Sequence, residues 1–228
     1  YSEKNDDIII IADEAITVWK IPAKRKTFFL KKRIYNDLLI KDAIIINEES
    51  LLALIDPAPS LKIFNLNAFT KLDNISLPSS ASFLCYIPFN RTVAVVSVEG
   101  QSIHLFDIKT RQRVEQINNK LISHVESCGY IENKKQLYLS KIHGVLIFQV
   151  LGRQLVLVGN IQLGVFINKC LFANDDNFLF TSGNQLFSLD LESGNLRSYT
   201  IEDGRNIGPL ALDLKYKRLI LVDGFQSQ

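Results

Sequence analysis

Short apolar runs of three to five residues recur along the chain, at 8–11, 51–55, 93–96, 137–139, 178–180 and 219–222. Each is bounded by clusters rich in Asn, Asp, Gly or Ser, the composition of tight turns. A second set follows at 16–21, 61–66, 103–108, 145–150 and 186–191. No stretch holds apolar residues at helical spacing for three turns. The best helical candidate, 37–49, carries Leu38, Ile40, Ile44 and Ile45. Its Ile44-Ile45-Ile46 core is β-branched, however, and favours a buried strand. The pattern predicts an all-β protein.

The runs repeat at a fixed distance. Near the end of each second-set strand stands one aromatic or apolar residue followed by a polar one: Trp19-Lys20, Phe64-Asn65, Phe106-Asp107, Phe148-Gln149 and Leu189-Asp190. Their spacings are 45, 42, 42 and 41. Ten or eleven residues upstream of each lies the centre of the preceding apolar run. The sixth run, 218–222, expects its partner just past Gln228. About five and a half repeats are therefore visible, with the chain expected to start inside one and end inside another. These five anchors should occupy equivalent places in successive units.

A period of this length with a strand ending in Trp-Asp or a variant of it resembles the WD40 repeat, a four-stranded propeller blade. The third repeat shows it best, with 82–88, 92–97, Glu99-Gly100 and then 103–110. The fifth ends Leu189-Asp190-Leu191-Glu192-Ser193-Gly194, close to the family's W-D-L-x-T-G. In the fourth, His124 precedes 125–131 where the family often has Gly-His. Lys20, Asn65 and Gln149 depart from the family by replacing the Asp. The resemblance implies a single β-propeller domain over 1–228, made of four-stranded blades and expected to be seven-bladed when complete. Neighbouring blades bury each other's faces.

Composition narrows the class further. With 228 residues, 47% hydrophobic and 22% charged, 11 Gly and 6 Pro, neither disorder nor collagen fits. A chain this long buries roughly 70–75% of its unfolded surface, enough to fold without a staple. Apolar stretches such as 145–150 are far too short to cross a bilayer, so no membrane insertion is expected. No charged-then-apolar leader opens the chain, and methionine is absent, which suggests an incomplete chain.

Candidate chemistry is sparse. Cys85, Cys128 and Cys170 follow one another at intervals of 43 and 42, which is the repeat itself. They should therefore share one place in the first strand of three units. Zinc sites usually need closer pairs. Small buried residues in a reducing compartment, cytoplasm or nucleus, are the expectation. His104, His124 and His143 fall in different parts of the repeat and are expected to converge on no common point. The acid pairs Asp13-Glu14, Glu48-Glu49 and Asp175-Asp176 fall between strands, as charged turns do. No nucleophile elbow, phosphate loop or dinucleotide fingerprint occurs. No enzyme activity, metal or cofactor is therefore expected.

One charge cluster stands out. Between residues 15 and 36 lie Lys20, Lys24, Arg25, Lys26, Lys31, Lys32 and Arg33 with no acid, on a chain of net charge +2. Lys24, Arg25, Lys26, Lys31, Lys32 and Arg33 form the candidate basic binding patch, interleaved with Phe28, Phe29 and Tyr35. Positive charge on an outermost strand also guards its edge. The resemblance implies a non-enzymatic scaffold docking other protein chains of a complex. The alternative is an RNA-associated accessory subunit supporting an RNA-processing or RNA-modifying enzyme, with the patch on the phosphate backbone.

Overall fold

The computed structural model describes residues 7–12, 15–20, 29–35, 39–68, 70–172, 177–191, 193–200, 207–213 and 218–223. Among them, regular structure other than strand is limited to two single 3-10 turns, Pro88–Asn90 and Lys120–Ile122. The protein is all-β. Two compact units make it up, Tyr1–Tyr86 with Asn90–Lys120, and Ile87–Phe89 with Leu121–Gln228.

In the first unit, β1 (Asp7–Ala12), β2 (Ala15–Lys20) and β3 (Phe29–Tyr35) form one sheet. The next holds β4 (Asp42–Ile46), β5 (Leu51–Ile55), β6 (Ser60–Asn65) and β7 (Thr70–Ser76). The third holds β8 (Phe83–Ile87), β9 (Thr92–Ser97), β10 (Ser102–Asp107) and β11 (Arg113–Asn118). The second unit has β12 (Val125–Ile131), β13 (Gln136–Lys141), β14 (Gly144–Leu151) and β15 (Gln154–Gln162) in one sheet. It continues with β16 (Lys169–Phe172), β17 (Asn177–Ser182), β18 (Gln185–Asp190) and β19 (Leu196–Thr200), then β20 (Ile207–Asp213) with β21 (Arg218–Asp223). Each sheet is a meander of sequence-adjacent strands. Ile44-Ile45-Ile46 completes β4, so branching at Cβ decided that segment against helix.

The five anchors are equivalent. Trp19, Phe64, Phe106, Phe148 and Leu189 are each the fifth residue of their strand. Each faces the second residue of the strand before: Ile8, Leu52, Val93, Leu137 and Phe178. A bulge with no signal in the sequence breaks the register to the next strand immediately before Trp19, Phe64, Phe106 and Phe148. The Leu189 strand runs on without one. A bulge raises local twist, and here it coincides with the large aromatic rings.

The second strands explain the continuous apolar runs. Every residue of β5 is buried. Leu51, Ala53 and Ile55 pack into a core shared with Leu84, Val93, Val95 and Phe106, while Leu52 and Leu54 pack with Ile16 and Phe64. With period two and both faces covered, alternation disappears from the sequence. Burying each Leu or Ile contributes roughly 1.5–3 kcal/mol. In the second unit Phe178, Phe180 and Phe187 fill the core with Tyr138, the last two of the three phenylalanines stacked at 5.0 Å. Gly129 lies opposite Tyr138, and a Cβ there would collide with the ring.

The turn after the third strand is held by the residue following the anchor. Asp107 Oδ1 accepts the amides of Lys109 and Thr110, and Asn65 Oδ1 accepts those of Asn67 and Ala68. Asp190 Oδ1 likewise accepts Ser193 N–H. The same turn passes through the left-handed region at Arg111 (φ 58°) and Gly194 (φ 71°).

Candidate interaction surfaces

The basic residues divide. Lys24, Arg25 and Lys26 lie outside the described residues. Lys31 and Arg33 are exposed on β3, which among the described residues pairs on one side only, with β2. Lys32 pairs with Val18 through the backbone, beside the bulge. Asp13, Glu14, Asp175 and Asp176 also lie outside the described residues. Glu48 and Glu49 sit in the β4–β5 turn, where Glu49 pairs with Arg91 at 3.5 Å. Burial, then the charges of Glu48 and Glu49, push the Tyr86 phenol up to about 12. These acids are held in a structural network.

None of the three cysteines is in a disulfide; Cys85 is buried and Cys128 and Cys170 are half-buried. All lie in first strands, β8, β12 and β16. Cys128 faces Leu139 and Cys170 faces Phe180, each two residues beyond the partner of that sheet's anchor. Among the described residues no three His, Cys, Asp or Glu side chains group as a metal site.

The histidines depart from expectation. His104 is a core residue, 1% exposed in β10, with Nε2 3.0 Å from the Ser102 hydroxyl. Burial first, then Arg113, holds its pKa below the ordinary value. His124 and His143, expected to be unrelated, line one cavity of about 470 Å³ with Lys141, Ile142, Gln162 and Phe166. The meander brings them together. The start of a first strand, the turn between second and third, and the end of a fourth all lie at one end of a four-stranded antiparallel sheet.

The walls of this cavity are tied by backbone bonds. Ile142 N–H donates to the His124 carbonyl at 3.3 Å, Leu163 N–H to His143 and Ile167 N–H to Ile142, both at 2.8 Å. The His143 ring meets Phe166 edge-on at 5.4 Å, and Phe166 stays 50% exposed. Two imidazoles, an ammonium and a carboxamide supply donors beside an apolar wall, and none of the lining residues is acidic. The chemistry suits a carboxylate flanked by an apolar group. A smaller, polar cavity of about 140 Å³ is lined by Asn177, Ser188, Asp190, Asn195, Arg197 and Tyr199, where Asp190 already serves its turn.

No helix among the described residues is long and apolar enough to cross a membrane. No protein-family model matches the chain, and no curated protein matches it in sequence. Solved structures do match. A chain in the crystal structure of the mitotic checkpoint complex superposes with TM-score 0.74 at 13% identity, over 97% of this chain and 70% of that one. Kuenenia stuttgartiensis hydrazine synthase gives TM-score 0.77 at 12% identity, over 95% and 70%. The neighbours are propeller-like, and with the repeated four-stranded sheets they show a β-propeller fold. At such identities the likeness extends to fold alone.

Proposed function

We propose that this chain is a non-enzymatic interaction subunit, a diverged WD40-type propeller that holds other protein chains of a complex in the cytoplasm or nucleus. The observation that carries this reading is the cavity at His124, Lys141, His143 and Phe166. Its groups are donors and an exposed aromatic ring on a backbone tied at three points, which is what a docking pocket needs. One structural neighbour is part of an assembly, the mitotic checkpoint complex, and supports the scaffold class; the other, hydrazine synthase, carries an enzyme's name. The fold serves both, so the side chains must decide. Three cysteines outside any disulfide agree with a reducing compartment.

The RNA-associated alternative rests on Lys31 and Arg33, exposed on one edge strand. Affinity purification with identification and stoichiometry of the bound chains separates the two. Lys141→Glu with Phe166→Ala is expected to lower retention of the specific partner at least tenfold while leaving thermal unfolding unchanged. Unchanged retention overturns the cavity as the docking site. Binding of RNA at physiological salt, steeply salt-dependent and lost in Lys31→Glu/Arg33→Glu, would favour the alternative.

A further inference from the structure

Among the described residues, five non-glycine residues in the left-handed region sit in hairpin turns inside a sheet: Ser50, Arg91, Gln101, Arg111 and Lys135. His124 (φ 58°) is the exception, standing in the connection from β11 to β12. Holding a non-glycine residue there costs energy, and such positions gather at binding sites. The facing wall of its cavity is pinned as well. The amides of Leu163 and Ile167 are both bonded to the 142–143 backbone, so only Gly164, Val165 and Phe166 bridge two fixed points. His124, His143 and Phe166 are thus exposed side chains on a fixed backbone. Gln162 already gives one amide hydrogen to Asn160 Oδ1 at 2.9 Å. Lys141 is the permanent charge among the lining residues.

On the reading of this cavity as a docking site, we propose that its occupant is an acidic side chain of a partner protein with an apolar residue beside it, and that His124 and His143 tighten the hold as pH falls. One permanent cation matches one carboxylate, whereas a nucleic-acid strand needs a row of cations along its phosphates. A carboxylate against Lys141 Nζ forms a charge-assisted bond, and the flanking apolar group covers the Phe166 ring. Imidazole changes charge between about pH 5 and 8, and a bound carboxylate favours the charged form of a ring beside it. The groups facing the two rings are Lys141 and Ile142 from the end of β13 and its turn, Gln162 from the end of β15, and Phe166. None of them is acidic. No internal carboxylate competes for the protons, so binding takes them up from solution.

Fluorescence anisotropy of a labelled peptide, Phe-Glu-Leu between Gly-Ser flanks, titrated with the full chain tests this beside a Phe-Gln-Leu twin. At about pH 6 the Glu peptide is expected to bind about tenfold more tightly, and the preference to shrink severalfold by about pH 7.5. The peptide carboxylate stays ionised throughout, so the change reports the imidazoles. His124→Gln with His143→Gln should remove the pH response, and Lys141→Gln the preference for Glu. These positions are exposed or half-buried, and thermal unfolding controls for folding. Equal or absent binding of the two peptides overturns the carboxylate. An intact pH response in the double variant overturns the role of the histidines. Retention of the partner in affinity purification keeps this apart from the docking reading itself. Retention lost in Phe166→Ala but kept in Lys141→Gln leaves a docking site without a carboxylate, and retention kept in both removes the docking site. Tighter binding of a single-stranded oligoribonucleotide than of the Glu peptide, lost in Lys141→Gln, would give the cavity to RNA and overturn the protein occupant.

Discussion

Gly129 is set by a single neighbour. It faces Tyr138 across the β12–β13 pair, and Tyr138 packs edge-on against Phe178 at 6.4 Å. Gly129→Ala would drive the ring out of the core and is expected to cost about 1–3 kcal/mol. Denaturant midpoints check this, with a companion test: adding Tyr138→Leu should make the double variant cost less than the two singles summed. His104 ties stability to pH in a definite direction. Its pKa is lowered in the folded protein, so between the ordinary value near 6.5 and the lowered native one the unfolded chain binds a proton that the fold refuses. Its contribution is complete above the unfolded pKa and is lost as pH falls through the native one. Urea unfolding at neutral pH and at about pH 5 should show this loss, and His104→Leu should flatten it, although the substitution strands the Ser102 hydroxyl.

Between residues and the whole lies the repeated turn, where a sequence departure is only apparent. Asn65 stands where two other repeats have Asp107 and Asp190, and its Oδ1 accepts two amides as Asp107 does. The turn needs an acceptor oxygen on Cγ, and either residue supplies it. Asn65→Asp should therefore leave the thermal midpoint nearly unchanged, whereas Asn65→Ala should lower stability by about 1 kcal/mol. Gln149 is a true departure. Its amide donates to the carbonyls of Lys134 and Lys135 instead, work a carboxylate cannot do. Strand order also shows why the two cavity histidines are hidden in the sequence. The separation of His124 from His143 matches no motif spacing and has no meaning until antiparallel strands place both at one sheet end. The same strand order singles out 154–162 as an uncharged last strand, a property that apolar periodicity alone does not reveal.

For the molecule as a whole, the repeat is legible because its anchors are fixed by geometry. Each must be fifth in its strand to meet the second residue of the one before, and such constraints leave a period in the chain. A partner leaves none, since docking surfaces differ from repeat to repeat and need only one suitable copy. The meander has a further consequence, in the order of synthesis. Each sheet pairs within itself as soon as its own strands emerge, but a face that shares a core with a later sheet of its unit stays bare until that sheet arrives. Ala53 shares its core with Val95, which is made one full repeat later. At about 5–20 residues per second, that face is uncovered for roughly 2–8 s. During synthesis the repeats that share a core inside one unit thus pass through a stage in which one apolar face is complete and unprotected, and nascent-chain chaperones have a recurring target.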